Sequence, residues 1–403
     1  MNLESHKDFR KAIEIIQHIE NSGGEAYIVG GAVRDFLAER EVGDIDIATS
    51  LLPERIIEIF DKVIPIGMEH GTVLVRYESA SFEVTTYRTE SGYKDFRHPD
   101  EVKFVNQIEE DLARRDFTMN AIAMDQFGKI IDPYGGADAL KNRRIQSVGD
   151  PALRFQEDPL RIMRALRFAS QLEFTIEDQT IKAIQTYAHL LSHIAVERLA
   201  AEFEKMYQGP GYKAGINFCV KTEVVNYLPI FKEHPSTLSL IPKSPLLHFS
   251  EVIAFYQFKV SHWTIKEWKR AWKLSNLTRN RTDILLRSLE EYKTSHKVTE
   301  WLVYNLDETL YPSFARVLAS LGLEELTVKD MLEEQASQLP IHSEKDLEFG
   351  AKDLIELKSD LQKGPWIKEG LTQIEYLVVN KQLTNQYSKI KEWAEQWNPP
   401  ANN

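Results

Sequence analysis

Apolar positions in the first third of the chain follow a period of two, and further along they follow a helical period. Ala26–Val29, Asp44–Ala48, Val63–Ile66, Thr72–Tyr77 and Ser81–Tyr87 are β-branched or alternate apolar with polar, which predicts strands. Ala32–Glu39 is patterned as a helix. Pro53 opens a second helical run, Glu54–Phe60, at the position where a missing N–H costs least. The texture changes near residue 140. After Asp150 almost everything reads as long amphipathic helices, interrupted at Gly209–Gly211, Pro235 and Pro242–Pro245. The pattern predicts an α/β head of about 140 residues followed by an all-helical body, with no internal repeat of fixed period.

Composition narrows the class. At 403 residues and 43% hydrophobic, the chain exceeds what one core usually supports, so two or more domains are expected. The single cysteine, Cys219, excludes an intramolecular disulfide framework and any Cys-rich zinc module. No stretch approaches 18 consecutive apolar residues, and the first twenty residues are polar and helix-patterned, so a soluble cytoplasmic protein without membrane contact is expected. A net charge of −12 argues against a nonspecific nucleic-acid coat, because phosphate contacts need clustered Lys and Arg. Residues 241–300 nevertheless hold eleven Lys/Arg against six Asp/Glu, interleaved with Phe249, Phe255, Tyr256, Phe258, Trp263, Trp268 and Trp272. That stretch is either an RNA-binding surface or a helical core with a solvated basic face.

Three blocks carry chemistry. Gly30-Gly31-Ala32-Val33-Arg34-Asp35 sets two glycines between a strand and a helix, where backbone N–H groups approach a phosphate, and Arg34 adds a positive fork. Asp44 and Asp46 follow in Gly43-Asp44-Ile45-Asp46-Ile47. On a strand they project side by side while Ile45 and Ile47 turn to a core, and two adjacent carboxylates favour a hard cation such as Mg²⁺. A solvent-facing acidic edge strand is the competing interpretation. Alternation puts Glu83 with Thr85 and Tyr87 on one face, so Glu83 is either a third carboxylate for the same metal or a surface acid.

Arg114-Arg115-Asp116-Phe117-Thr118-Met119-Asn120 pairs arginines suited to a triphosphate with an Asn suited to a sugar or phosphate; alternatively Arg115 and Asp116 form a surface ion pair. Glu157-Asp158-Pro159-Leu160-Arg161-Ile162-Met163-Arg164-Ala165-Leu166-Arg167 marks a helix start at Pro159. Asp158 and Arg161, three apart, are expected to share a face, either as a functional pair or as a plain i,i+3 salt bridge; Arg164 and Arg167 continue the series.

In this order the blocks resemble the bacterial CCA-adding enzymes, class II tRNA nucleotidyltransferases of the polymerase-β superfamily, over essentially the whole length. The resemblance implies an α+β fold: a small mixed-sheet head (residues 1–146), then an all-α neck (147–207), body (208–300) and tail (301–403). It implies addition of C, C and A to the 3′ end of tRNA from CTP and ATP, with release of pyrophosphate. Asp44 and Asp46 would hold two catalytic Mg²⁺ ions, and Gly31, Arg34, Arg115, Asp158, Arg161, Arg164 and Arg167 would bind the nucleotide. CC-adding, A-adding or poly(A)-forming enzymes and a noncatalytic tRNA-binding module are the alternatives, and oligomeric state stays open.

The pair Asp158 and Arg161 also has a physical reading. A carboxylate accepting from the exocyclic amine, beside a guanidinium donating to the ring nitrogen, suits both cytosine and adenine. Guanine and uracil present the reverse polarity and would be rejected. The segment Arg88–Pro99, which the CC-only relatives lack in part, is expected to be mobile and to switch the pocket from C to A. Arg198 and Glu202, four apart, are expected to buttress the nucleotide helix. Lys266, Lys269, Arg270, Lys273, Arg279 and Arg281 are candidate phosphate contacts in the body. No His-Asp dipeptide occurs, so the appended phosphohydrolase of some relatives is not expected.

Overall fold

The computed structural model describes residues 7–93, 95–96, 99–323 and 328–399. The predicted alternation builds a sheet. Ile28, Ile47, Val84 and Val73 stand opposite one another across four strands, and all are buried. The strands are β1 (Ala26–Val29), β2 (Asp46–Thr49), β3 (Val63–Gly67), β4 (Thr72–Tyr77), β5 (Ala80–Thr86), β6 (Arg88–Ser91), β7 (Glu101–Phe104), β8 (Ala123–Met124) and β9 (Ile130–Ile131). Seven form one mixed sheet in the order β3-β4-β5-β2-β1-β8-β9; β2 and β5 run parallel and the other neighbours antiparallel. β6 and β7 make a separate hairpin.

Helices cover the sheet. α1 (Lys7–Asn21) buries Phe9, Ala12, Ile15, Ile16 and Ile19, an i, i+3, i+4 stripe, against β1 and β2. Each of the Phe and Ile side chains in that stripe stabilises by roughly 1.5–3 kcal/mol when fully buried. α2 (Gly31–Leu37) follows β1, and α3 (Pro53–Ile59) begins on Pro53 as expected. On the other face, α4 (Ile108–Ala113) contributes Ile108 and Leu112 to a cluster with Val29, Ala48, Tyr87, Ala121, Ala123 and Val148. The short α5 (Gly136–Lys141) closes the head.

One detail differs from the sequence expectation. β2 begins at Asp46, so Asp44 precedes the strand and the i, i+2 argument does not set its direction. Tyr87 follows the last residue of β5 on the face of Glu83, as alternation predicts, and is wholly buried there in the cluster that α4 joins.

A two-residue parallel pair, β10 (Arg144–Ile145) with β11 (Thr175–Ile176), ties the head to the helices that follow. Those helices are α6 (Pro151–Glu157), α7 (Leu160–Leu172), α8 (Asp178–Tyr187), α9 (Val196–Gln208) and α10 (Tyr212–Lys221). α7 lies against α9 and α10, burying Leu160, Met163, Leu166 and Ala169. Contacts divide the chain into two compact units between Ile241 and Pro242.

The second unit is helical: α11 (Phe249–Lys259), α12 (Ile265–Trp272), α13 (Asn276–Ser295), α14 (Glu300–Asn305), α15 (Tyr311–Leu321), α16 (Val328–Ser337), α17 (Ala351–Leu357), α18 (Trp366–Val379) and α19 (Tyr387–Gln396). Phe249, Phe255, Tyr256, Trp263, Trp268 and Trp272 are buried there, so these rings are core and the interleaved cations form its outer face. Glu251, wholly buried, is held by Arg316 at 2.6 Å. No helix among the described residues is long and apolar enough to cross a membrane.

Candidate active site

At the ends of β1 and β2, where the head meets α7, a cavity of about 510 Å³ gathers Gly31, Arg34, Asp46, Arg115, Asp158, Arg161, Arg164 and Arg167. Three blocks far apart in sequence thus share one space. Gly30 opens it with φ 70°, and a Cβ there would stand 2.9 Å from Arg115 Nη1. The steric demand therefore falls on Gly30 rather than Gly31.

Each cation is aimed by an acid or amide. Arg34 donates from Nε and Nη2 to Asp35 at 2.9 and 2.8 Å, and from Nη1 to Asn120 Oδ1 at 2.9 Å. Asn120 passes its amide to Asp116 Oδ1 at 3.0 Å, so both ends of Asn120 are engaged by protein. Asp116 is only 8% exposed and is no surface partner of Arg115. It accepts from Arg164 Nε at 2.7 Å and from the Phe117 N–H at 2.8 Å. Burial opposes its ionisation, but Arg164, Asn120 and Arg161 prevail and hold its carboxyl at about 2. Arg114 and Arg115 meet on buried Asp111, at 2.7 and 3.3 Å. Arg115 Nε is buried without a partner among the described residues, an unspent donor on a residue of the cavity wall.

Asp158 and Arg161 are arranged differently from the expectation. Asp158 lies in the turn between α6 and α7, so no i,i+3 bridge to Arg161 forms. Its Oδ1 accepts the Leu160 N–H at 3.0 Å and its Oδ2 binds Arg198 at 3.1 Å. Arg161 instead binds Glu157 at 2.9 Å and the Arg114 carbonyl at 3.0 Å. Arg167 is fixed by Glu202 at 2.6 Å. Arg198 and Glu202 do buttress α7 as expected, and Arg198 also lines the cavity itself.

Sequence reasoning passed over Phe168. Its ring, nearly buried, lies under three guanidiniums: Arg34 at 5.3 Å, Arg164 at 5.4 Å and Arg167 at 4.1 Å. The i+4 spacing from Arg164 was the available signal; the approach of Arg34 had none.

Of the predicted metal-binding acids, Asp46 lines this cavity, and Asp44 and Glu83 are not among its lining residues. Asp46 pairs across the parallel ladder with Glu83. Desolvation, Glu83 and Asp44 push the Asp46 carboxyl up to about 6 against the pull of Arg115. Clustered acids with only oxygen donors fit a hard divalent cation. Among the described residues no three His, Cys, Asp or Glu side chains form a closed metal cage.

The hairpin β6–β7 borders this site. Glu90 accepts from Arg88 at 2.7 Å, Arg114 at 3.1 Å and Tyr93 at 2.7 Å, and Arg88 also donates to the His70 carbonyl. Phe96 stacks on His193 at 4.9 Å. Lys94, Arg97 and His98 of the expected mobile segment lie outside the described residues.

Comparison with known proteins finds relatives along most of the chain. Residues 26–146 match the poly A polymerase head domain, 173–234 a probable RNA- and SrmB-binding site of polymerase A, and 251–394 a putative tRNA nucleotidyltransferase domain 2. The sequence is 43% identical over 391 residues to a CCA-adding enzyme of Anoxybacillus flavithermus, covering 96% of this chain and 97% of that protein. A Geobacillus CCA-adding enzyme is 42% identical, with 96% of both chains covered. The crystal structure of the Bacillus stearothermophilus CCA-adding enzyme in complex with CTP superimposes with a TM-score of 0.88 at 38% identity, covering 96% of this chain and 97% of that one. With identity of this order over essentially the whole length of named enzymes, and the fold shared with one of them, the chain belongs to the family of CCA-adding enzymes.

Proposed function

We propose that this protein adds C, C and A in turn to the 3′ end of tRNA, taking CTP and ATP as substrates and releasing pyrophosphate without a nucleic-acid template. The observation that carries the proposal is the meeting of Asp46 with Arg34, Arg115, Asp158 and the α7 arginines around one cavity of nucleotide size. The likeness to a CTP-bound relative at 38% identity supports the same substrate class.

Arg34 and Arg115 neutralise the triphosphate, held in place by Asp35, Asn120 and Asp111. Asp44 and Asp46 hold the divalent cation, which we assign as Mg²⁺; when bound it supplies charge neutralisation and acidifies the attacking 3′-hydroxyl. Asp158, steadied by Arg198, accepts the amine shared by cytosine and adenine, and Arg161 faces the ring nitrogen. Arg164 and Arg167, pinned by Asp116 and Glu202, complete the wall. A carbonyl at Asp158 and an N–H at Arg161 leave two mismatched polar contacts, which together cost several kcal/mol and reject uracil and guanine by about a hundredfold to ten-thousandfold.

We assign residues 1–146 to catalysis, 147–207 to base selection, and 208–300 and 301–403 to holding tRNA. Lys266, Lys269, Arg270, Lys273 and Arg279 border one hollow of the second unit and suit phosphates of an RNA duplex; Arg281 stands outside that hollow. Substrates of this kind assign the protein to the cytoplasm. The hairpin from Arg88 favours full CCA addition over CC alone. Purified protein incubated with tRNA lacking its last three nucleotides, Mg²⁺ and each nucleotide singly or together tests the proposal by product length. Three added nucleotides with CTP plus ATP are expected, and two with CTP alone. No extension, or an open-ended A tail, overturns it.

A further inference from the structure

Strand register puts a second feature beside the carboxylates. Asp46 stands opposite Glu83, Glu83 opposite Leu74, and Leu74 opposite Ile64, so these four share one face of the sheet in a row across β2, β5, β4 and β3. The reverse face of the same strands carries buried Val73, Val75, Phe82 and Val84; the face of this row is covered over Val29, Ala48 and Tyr87 by the cluster that α4 joins, and is open from Glu83 outwards. Glu83 is exposed, Leu74 half-buried and Ile64 42% exposed. The next row holds Ser81 and Arg76, and the Arg76 N–H bonds the Lys62 carbonyl, so two cations border the apolar step. Neither Arg76 nor Lys62 has an ion-pair partner among the described residues.

The cavity that gathers the arginines lies on the β1 and β8 side of Asp46, at Gly30, Gly31 and Asn120. The open row runs from Asp46 the other way, towards β3. Phosphoryl transfer needs the attacking oxygen and the leaving pyrophosphate roughly in line across the α-phosphorus. With the triphosphate among the arginines, the open row offers the attacking hydroxyl an approach from the β5–β4–β3 side.

We propose that the strip formed by Leu74, Ile64, Arg76 and Lys62 seats the terminal nucleotides of the acceptor RNA. The inference rests on the transferase reading above and deepens it. The strip has the chemistry a single RNA strand requires: an aliphatic step for a base or ribose, flanked by cations for phosphates, ending at the acids where the 3′-hydroxyl reacts.

Steady-state kinetics of CMP addition to tRNA lacking its last three nucleotides tests it. Ile64→Asp and the double variant Lys62→Ala/Arg76→Ala alter exposed side chains and are expected to keep the wild-type melting temperature. Each is expected to raise the KM for tRNA about tenfold with the KM for CTP unchanged, the signature of lost acceptor binding alone. The double variant is also expected to flatten the salt dependence of the tRNA KM, and Ile64→Leu to retain the wild-type value. An unchanged tRNA KM in both variants overturns the strip. So does a change confined to oligomeric state by light scattering, which would make the strip a contact with a second copy. Absence of CMP addition by the wild-type protein overturns the transferase reading instead.

Discussion

Asp116 shows how one buried side chain sets the geometry around it. Its carboxyl lies at about 2, below the ordinary 3.8 of an exposed aspartate. A depressed carboxyl stabilises the fold fully above its unfolded value, and the contribution is lost as pH falls from 3.8 towards 2. Asp116→Asn is therefore expected to cost on the order of 2 kcal/mol at pH 6, with the difference from wild type shrinking as pH drops through that window in denaturant titrations. A constant difference across pH would mean that packing, not charge, is what the carboxylate supplies. Phe168 acts through its neighbours. Phe168→Leu keeps the apolar volume but removes the ring beneath Arg34, Arg164 and Arg167. It is expected to raise the KM for both CTP and ATP several-fold, with Phe168→Tyr near wild type; an unchanged KM would reduce the ring to core filler.

At the scale of elements, the hairpin β6–β7 is tied down at its base by charged groups. Arg88, Glu90 and Arg114 form a half-buried ion network, and Glu90 is held below the usual carboxylate range because Arg114 and Arg88 outweigh its burial. Removing residues within 88–97 is expected to leave addition of the two C residues intact and abolish the terminal A, read as a product one nucleotide short. Equal loss of both steps would deny the hairpin a switching role. The five predicted strands were legible because period-two alternation survives over four or more residues, as in Val73 and Val75. β8 and β9, two residues each, carry no period to detect, and β10 and β11 are the same case. The site residues were legible as motifs, but their partners were not. Arg164 meets Asp116 across 48 positions and Arg34 meets Asn120 across 86, and short-range spacing contains no such information. The i,i+3 rule misled at Asp158 because that residue stands before the helix it was read into.

On the scale of the whole molecule, the fold holds opposed charges apart for a substrate to join. The head presents carboxylates that the metal-free fold does not welcome. Burial, Glu83 and Asp44 raise Asp46 to about 6, so its ionised form weakens the fold as pH rises through that value. Asp46→Asn is expected to abolish nucleotide addition yet raise the melting temperature of the metal-free protein at pH 8, with no gain at pH 4. Lower stability at pH 8 would mean that the acid is paired rather than repelled. The central claim is that side chains on α7 and before it read the base in place of a template. It is tested most directly by the relative kcat/KM of CTP, ATP, UTP and GTP for the wild type and for Asp158→Ala. The account predicts that the variant keeps adding nucleotides but loses its rejection of UTP and GTP, and that Arg198→Ala shifts the same ratio in the same direction. Unchanged discrimination in Asp158→Ala, alongside full activity, would contradict it.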